Sequence, residues 1–299
     1  FVAIMMPRVN DYIVALLAVH KAGAAFVPVD SEYPNDRISY MLKDSGARLL
    51  VTVSSLYDEK SKEGDIVADK LLFLDMFDYD TSFDASSLRL PDGDDMAYMI
   101  YTSGTTGLPK GVVIRQKSLL AFAAWCSDDM ALTRDDKVLL HISFSFDASL
   151  SSIAPMLYAG ASLHIVSSEM RRNMVSLVEY INNRGITAGV FPTQMGVELL
   201  NQFDTCMRVV ALGGEKLKPV RRGGTVVFNA FGPTEFTVAS SMYRIDPERK
   251  YARYPIGSPA QNTWQYACDA DMNLFPAGVP DACVLSVVKV ASGECERSD

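Results

Sequence analysis

A short segment rich in hydroxyl groups and glycine holds the clearest chemistry in the sequence. It spans residues 101–111 and reads Tyr-Thr-Ser-Gly-Thr-Thr-Gly-Leu-Pro-Lys-Gly. The apolar run before it, residues 96–100, predicts a short buried strand. Glycines let the backbone turn tightly with N–H groups facing a concavity, and Lys110 adds a positive charge. The pattern predicts a loop that holds a polyphosphate, built from Thr102, Ser103, Gly104, Thr105, Thr106, Gly107 and Lys110.

The spacing within this segment differs from that of a Walker A loop. A Walker A loop has four residues between its glycines and ends in Gly-Lys followed by Ser or Thr. Here two residues separate Gly104 from Gly107, and Gly111 follows Lys110. The alternative is a surface hairpin rich in Gly and Thr that binds nothing. So many phosphate-type donors directly after a strand favour the phosphate loop.

Asp147 is the second candidate for a chemical role. It follows Phe144-Ser145-Phe146, an apolar-polar-apolar alternation that predicts a strand end pointing into a cleft. A carboxylate surrounded by aromatic rings is unfavourable unless a cation pairs with it. The alternative role is an N-cap for a helix that starts at Ala148.

These candidates require a scaffold in which strands alternate with helices. The sequence predicts strands over residues 49–53, 96–100, 138–142, 162–166, 188–191 and 208–212. It predicts helices over residues 117–130, 149–158, 170–183 and 193–203, after one that Asn10 or Asp11 caps and Gly23 closes, and one from Pro34 to Gly46. Residues 54–95 are expected to form an irregular surface connection. The alternation predicts an α/β fold with layered, largely parallel sheets and flanking helices.

Composition excludes several classes of partner. The chain has 299 residues, 48% of them hydrophobic, and a net charge of −8 without a cluster of Lys and Arg. We therefore expect no nucleic-acid partner and no membrane partner, and no apolar run approaches the ~18 residues of a membrane span. Five cysteines without paired spacing are typical of reduced thiols and predict a cytoplasmic location.

Five blocks of the sequence resemble motifs of the adenylate-forming enzymes, a superfamily that includes acyl-CoA synthetases, luciferases and the adenylation domains of nonribosomal peptide synthetases. Residues 101–111 resemble its phosphate loop. Residues 21–30 with Tyr33-Pro34 resemble the second core motif of amino-acid-activating domains, residues 146–149 the fourth, and residues 229–235 the fifth. Residues 255–259 with Asn262-Thr263 are similar to the stretch that follows. The blocks keep the family order over residues 1–280, so the chain resembles the large N-terminal domain of a nonribosomal peptide synthetase adenylation domain.

The resemblance implies an activity and its parts. ATP with Mg²⁺ would activate an amino acid as an aminoacyl adenylate, for loading onto the phosphopantetheine thiol of a peptidyl-carrier domain among the neighbouring domains of a multimodular synthetase. Lys110, Thr234 and Glu235 would be catalytic, with Glu235 the Mg²⁺ ligand, and Phe231 would stack on adenine. The remaining ATP-binding residues would be Gly213, Gly214, Glu215, Asn229, Ala230, Gly232 and Pro233. The alternatives are a core aromatic for Phe231 and a solvated turn carboxylate for Glu235.

The resemblance also implies a substrate pocket. Asp147 would pair with the α-ammonium of an amino acid, which acyl-CoA synthetases have no reason to bind. The side-chain pocket would consist of Ala148, Ser151, Gly189, Val210, Leu212, Ala230, Val238 and Ala239. None of these is charged, so a neutral and mainly apolar amino acid is expected.

The carboxyl end departs from the family pattern. After residue 280 the chain reads Asp281-Ala282-Cys283-Val284-Leu285-Ser286, where the family has Gly-Glu-Leu and a glycine-rich stretch. We therefore expect a partial AMP-binding domain over residues 1–280 and a divergent tail over residues 281–299. The C-terminal lid domain and its catalytic lysine would be absent, by truncation or by a frameshift, and the chain alone would show little activity.

Two alternatives to the synthetase remain open. One is a stand-alone ligase that charges a carrier protein with an amino acid such as D-alanine, or an acyl-CoA ligase. The other is an inactive nucleotide-binding remnant. A carrier-protein motif after the C-terminal lysine, a stop after that lysine, or a stop at Asp299 would distinguish the three.

Overall fold

The chain folds as two main sheets and a small ladder, with helices packed around the sheets. This computed structural model describes residues 1–62, 64, 66, 68–80, 82, 84, 86, 88–102, 108–221, 223–268 and 273–274, and the backbone alone of residues 267 and 283–288. The helices are α1 (Asn10–Lys21), α2 (Asn35–Ser45), α3 (Ser54–Ser61), α4 (Gln116–Asp129), α5 (Leu150–Ala159), α6 (Ser168–Arg171), α7 (Met174–Arg184) and α8 (Thr193–Gln202).

The first sheet has six strands in the order β4-β3-β1-β2-β5-β6. Its strands are β1 (Val2–Ile4), β2 (Phe26–Pro28), β3 (Leu49–Thr52), β4 (Leu71–Phe73), β5 (Met96–Thr102) and β6 (Lys110–Arg115). All neighbours are parallel except β5 and β6, which pair antiparallel as a hairpin.

The second sheet has seven strands in the order β13-β12-β11-β10-β9-β7-β8. They are β7 (Lys137–Leu140), β8 (Ser162–Ile165), β9 (Ala188–Pro192), β10 (Val209–Gly213), β11 (Val226–Phe231), β12 (Ser241–Arg244) and β13 (Ser258–Pro259). The five strands from β11 to β8 are parallel, and β12 and β13 are antiparallel. The strands β14 (Thr263–Cys268) and β15 (Cys283–Val288) form a separate antiparallel ladder.

The central strands of the second sheet are buried on both faces. Val190 and Ala211 belong to the core that the two main sheets share with α4 and α5. Val210 and Leu212 belong to the core on the opposite face, next to α7 and α8. Side chains alternate between the faces of a strand, so these assignments fix which residues can point toward a site on either side.

The predicted α/β architecture is confirmed, with four local corrections. Residues 54–95 contain α3 and β4, so this stretch is not simply an irregular connection. The helix predicted over residues 170–183 is two helices, because the side chain of Asn173 accepts the Ser176 N–H and starts α7 there. Helix α1 begins at Asn10, and no side chain caps it. The divergent tail, predicted over residues 281–299, contains the strand β15.

Candidate functional site

A cavity of about 350 Å³ opens at the carboxyl ends of the parallel strands of the second sheet. Strand ends at one edge of a parallel sheet converge, which is where α/β proteins commonly bind ligands. His141 follows β7, residues 190–192 end β9, Gly213 ends β10 and Ala230 lies near the end of β11. The other lining residues are Ile142, Ser143, Phe146, Asp147, Ala148, Ser151, Arg171, Gly214, Phe231, Gly232, Val238 and Ala239.

Asp147 lies in this cavity at the start of a short 3₁₀ turn, Asp147–Ser149, that leads into α5. Its Oδ1 accepts the N–H of Ala148 at 2.7 Å, so the carboxylate also serves the turn it begins. Burial raises the pKa of Asp147, a hydrogen bond from Thr234 opposes this, and the charge of Glu235 raises it further. Within the described part of the chain, no lysine or arginine forms an ion pair with it. Its described hydrogen-bond partners are therefore a backbone N–H and a hydroxyl group.

The structure brings together some of the residues predicted for the side-chain pocket. Ala148, Ser151, Ala230, Val238 and Ala239 line the cavity with Asp147. Its remaining predicted members, Gly189, Val210 and Leu212, do not line it.

These three residues belong to the opposite face of the sheet. A Cβ built on Gly189 would lie 2.7 Å from Cε of Met207, while Val190 faces the cavity. Likewise Gly213, rather than Leu212, reaches the cavity from β10. A shift of one residue moves a side chain to the other face, and Val190 and Gly213, which line the cavity, each follow a predicted position, Gly189 and Leu212, by one residue.

Several lining residues were missed by the sequence reasoning. His141, Phe191 and Arg171 carry no motif, and Arg171 adds a cation to a wall that was expected to be uncharged. Burial lowers the pKa of His141 to about 4, so the ring is neutral at pH 7. Its Nε2 then donates to the carbonyl oxygen of Arg171 at 3.2 Å. Gly213 and Gly214 at the end of β10 were the available signal for the cavity-facing register.

The segment after β11 forms the nucleotide side of the predicted site. Phe231 is 40% exposed and lines the cavity, so it is not a core aromatic. A Cβ on Gly232 would lie 2.5 Å from Cα of Ala239, which only glycine tolerates. Thr237 and Val238 adopt left-handed backbone angles, with φ of 57° and 73°, that β-branched residues rarely adopt. The segment is thus a tightly folded, strained turn.

Other predicted ATP-binding residues lie around rather than in the cavity. Asn229 is buried, and its side-chain amide donates to the carbonyl oxygen of Pro255 at 2.7 Å. Glu215 is exposed, and its carbonyl oxygen accepts the Thr193 hydroxyl at 3.2 Å. Pro233 is exposed, and Thr234 begins the 3₁₀ turn Thr234–Phe236 beside Asp147.

The predicted phosphate loop lies only partly among the described residues. Thr102 and Lys110 face each other at the end of the β5–β6 hairpin, and Lys110 is exposed. The hydroxyl of Tyr40 donates to the carbonyl oxygen of Pro109 at 3.0 Å and ties one arm of the hairpin to α2. Ser103, Gly104, Thr105, Thr106 and Gly107 lie outside the described residues, so their phosphate role stays a prediction.

Within the described ranges, no group of three or more His, Cys, Asp or Glu side chains is arranged to hold a metal ion. An exposed Glu235 beside Asp147 nevertheless fits a Mg²⁺ ion that takes most of its ligands from phosphates and water. Among these residues no helix is long and apolar enough to cross a membrane.

The profile of the AMP-binding enzymes matches residues 1–290. The chain belongs to this family. This AMP-binding enzyme is 34% identical over 289 residues to surfactin synthase subunit 2 of Bacillus subtilis (strain 168). The matched region covers 95% of the chain and 8% of that protein. It is 32% identical over 310 residues to tyrocidine synthase 1 of Brevibacillus parabrevis, which covers all of the chain and 28% of that protein.

A solved structure agrees with the fold of this AMP-binding enzyme. A four-domain nonribosomal peptide synthetase with bound AMP and glycine superposes with a TM-score of 0.78 and 27% identity, covering 93% of the chain and 21% of that protein. The chain therefore spans less than a third of the length of each of these relatives. The resemblance inferred from the motifs is confirmed at the level of the family.

Proposed function

We propose that this AMP-binding enzyme activates an amino acid with ATP, as the adenylating part of a nonribosomal peptide synthetase. The observation that carries the proposal is Asp147, a carboxylate in a cavity, beside Thr234 and without a cation partner among the described residues. The α-ammonium of an amino acid supplies that cation. Similarity to surfactin and tyrocidine synthases, and to a synthetase solved with AMP and glycine, supports the same function.

The reaction requires a weak nucleophile to approach a charged phosphate. An oxygen of the substrate carboxylate attacks the α-phosphorus of ATP, the bond to the β-phosphate oxygen breaks, and pyrophosphate leaves. Catalysis depends on positioning and on neutralising charge. Thr234 donates near the α-phosphate, while Lys110 and the loop after β5 hold the β- and γ-phosphates. Mg²⁺, held by Glu235, would neutralise the phosphate oxygens.

The cavity divides this work between two sides. Phe231 offers an exposed aromatic face for adenine at the β11 side. The wall next to Asp147 consists of small or apolar side chains: Ala148, Ser151, Val190, Ala230, Val238 and Ala239. Such a wall favours a neutral, mainly apolar substrate side chain. Among the described residues that line the cavity, Arg171 is charged as well as Asp147, so an acidic side chain is the competing possibility.

The wider setting is part of the proposal. Both synthases named above are much longer than this chain, which fits an adenylating unit among neighbouring domains. In that setting the aminoacyl group moves from the adenylate to the phosphopantetheine thiol of a peptidyl-carrier domain. A cytoplasmic location, where such thiols stay reduced, belongs to the same proposal.

Calorimetric titration of the 299-residue chain tests the proposal directly. The probes are ATP with Mg²⁺, and stable sulfamoyl adenylates of leucine, phenylalanine and aspartate, each with its des-amino counterpart. We expect the leucyl or phenylalanyl probe to bind more tightly than its des-amino counterpart. Tighter binding of the aspartyl probe would instead assign Arg171 to the substrate.

The matched pair of variants is Asp147→Ala and Asp135→Ala, the latter an exposed aspartate before β7. Asp147→Ala should lose the preference for the amino group, by roughly 3–5 kcal/mol if an ammonium is left buried and unpaired. ATP binding should stay within about twofold, and Asp135→Ala should bind like the wild type. An Asp147→Ala variant that still prefers the amino group would refute the proposal.

A further inference from the structure

Arg8 reaches from one main sheet to the other. It follows β1 in the first sheet, but its guanidinium contacts the second sheet. Nη2 donates to the carbonyl oxygen of Leu140 at 2.7 Å, Nη1 to that of Ile142 at 2.8 Å, and Nε to that of Val166 at 2.7 Å. These acceptors lie 132 to 158 residues away in the sequence. The side chain thus holds the carboxyl ends of β7 and β8.

The surroundings of Arg8 are those of a fixed group. Its guanidinium lies 5.0 Å from the ring centroid of Phe144, and Phe144 stacks on Tyr12 with centroids 3.6 Å apart. Burial, with repulsion from Arg171, lowers the pKa of Arg8 to about 10, so the group remains charged at pH 7. Among the described residues no carboxylate forms an ion pair with it. Its hydrogen bonds go to three backbone carbonyls instead.

The segment that Arg8 holds leads into the candidate site. Residues 141–143 line the cavity, and Asp147 follows Phe144 by three residues. The connection between β2 of the first sheet and α2 makes two more contacts with this segment. The hydroxyl of Ser143 donates to Oδ2 of Asp30 at 2.7 Å, and the hydroxyl of Tyr33 donates to that of Ser145 at 3.1 Å. The amino-acid side of the cavity is therefore fixed from the first sheet, whereas Phe231 and Gly213 belong to the second.

We propose that Arg8 is a positioning residue for the substrate amino acid. It sets the path of residues 140–144 and, through them, the places of His141 and Asp147 at the cavity. Arg8 itself does not line the cavity. That the positioned ligand is an amino acid rests on the function proposed above. The placement of residues 140–144 by Arg8 does not depend on that function.

Arg208 provides a matched control at the opposite end of the same sheet. Its Nη1 donates to the carbonyl oxygen of Met130 at 3.1 Å and its Nη2 to that of Ala131 at 2.6 Å, and it also pairs with Asp136. It lies before β10, away from the cavity. Substituting either arginine removes backbone contacts of the same kind, but only Arg8 contacts the segment that leads to Asp147.

The first experiment compares Arg8→Lys with Arg208→Lys by calorimetric titration. A lysine keeps the charge but cannot reproduce the planar set of donors. A displacement of about 1 Å can reduce function ~100-fold. We expect Arg8→Lys to weaken binding of the leucyl and phenylalanyl sulfamoyl adenylates by roughly 10–100-fold and to leave ATP binding within about twofold. Arg208→Lys should lower the melting temperature without changing either affinity.

The second experiment needs no ligand and separates this inference from the proposed function. The ring of His141 is followed by NMR through a pH titration in the wild type, Arg8→Lys and Phe144→Leu. The ring carbon shifts and titration midpoint of His141 should change in Arg8→Lys, and in the same direction but less in Phe144→Leu. His20 and His164 should stay unchanged.

The outcomes are distinct. Unchanged His141 signals in a folded Arg8→Lys protein, or equal losses of ATP and adenylate binding, would overturn the positioning role. If Arg8→Lys does not fold, unchanged His141 signals in Phe144→Leu would overturn it. If the wild type binds none of the probes, the proposed function fails, while a change confined to His141 still supports the role of Arg8.

Discussion

The aspartates at the two ends of the seven-stranded sheet differ in the partners that surround their carboxylates. At the amino end, Asp136 is 4% exposed and accepts hydrogen bonds from Arg208, Thr187 and the N–H of Thr133. At the carboxyl end, Asp147 has the Ala148 N–H and Thr234 as partners and, among the described residues, no cation. Charged partners therefore compensate one carboxylate, while the other lies in a cavity with neutral partners. Under the proposed function, stability and binding depend on different ends of one sheet.

The pKa values of these two aspartates follow the same division. Burial alone would raise the pKa of Asp136, but hydrogen bonds from Arg208 and Thr187, with the Arg208 charge, bring it well below the ordinary range. Burial raises the pKa of Asp147, and one hydrogen bond from Thr234 does not reverse this. A perturbed acid in a cleft is a candidate functional group, and a fully paired one is a structural group.

Among the substitutions that test this difference between the two ends of the sheet, Asp136→Ala should have the largest effect. Asp136 is buried but its partner Arg208 is 40% exposed, so the arginine left behind is partly solvated, and we expect a loss of up to about 3 kcal/mol in the free energy of unfolding, mainly from the hydrogen bonds that Asp136 no longer accepts. Urea denaturation measures this loss. Below the midpoint, binding of ATP should equal that of the wild type. A stable Asp136→Ala protein would show that the amino end does not carry the stability assigned to it.

Gly232→Ala should instead disrupt the structure at the carboxyl end of the sheet. The added methyl group would meet the backbone of Ala239 and Ser240, at 2.5 and 2.6 Å. Overpacking of this kind typically destabilises by about 1–3 kcal/mol. Because Ala239 lines the cavity, adenylate binding should fall by a larger factor than thermal stability would suggest. Gly224→Ala, where a Cβ meets no atom within 4 Å, is the control and should be neutral.

Changes in pH should separate the two ends by the property that responds and by the pH range in which it responds. Since folding lowers the pKa of Asp136, its stabilisation is present above the unfolded value near 3.8 and is lost as pH falls through the folded value. Since folding raises the pKa of Asp147, its ionised form is disfavoured, and binding of the substrate ammonium should strengthen as pH rises through that value. We expect up to about tenfold per pH unit below it. Titrations of adenylate affinity and of unfolding in parallel test this, and affinity that is independent of pH would contradict it.

Thr237→Gly should give the smallest effect, and the opposite sign. Thr237 has a φ of 57°, and a glycine adopts this angle without the Cβ clash. We expect a gain of up to about 1 kcal/mol in the free energy of unfolding, measured by urea denaturation. Ala131→Gly, at a φ of 48° near the amino end, should gain less because alanine is not β-branched. A destabilised Thr237→Gly protein would show that the strain is compensated by side-chain contacts.

Sequence reasoning located the elements of both ends more reliably than their side chains. Strands β7 to β10 and helices α4, α5 and α8 were predicted within a residue or two, because apolar runs and turn residues mark them. The pocket was one residue out of register on β9 and β10, since both faces of these strands are buried and no polar residue marks a face. The sequence therefore predicted Gly189 and Leu212 at positions where Val190 and Gly213 line the cavity.

Local sequence patterns do not predict contacts between residues that are far apart in the sequence. Arg8 follows a short strand and resembles a surface residue, and its carbonyl acceptors carry no sequence signal at all. The left-handed angles of Thr237 and Val238 were equally hidden, because β-branched residues predict extended backbone. The sequence predicts Asp147 as a site residue because a carboxylate among aromatic residues is unusual. Whether a cation pairs with it depends on tertiary contacts, which the sequence does not show.

The contacts of Arg8 also bear on the order in which the protein is made. Its third acceptor, Val166, follows it by 158 residues. At roughly 5–20 residues per second, a ribosome needs about 8–32 s to synthesise that stretch. Until then the guanidinium has no complete set of carbonyls, and the first sheet emerges without the segment it will hold. Pausing between β6 and β8 would therefore prolong the exposure of the Arg8 side chain that later contacts the ends of β7 and β8.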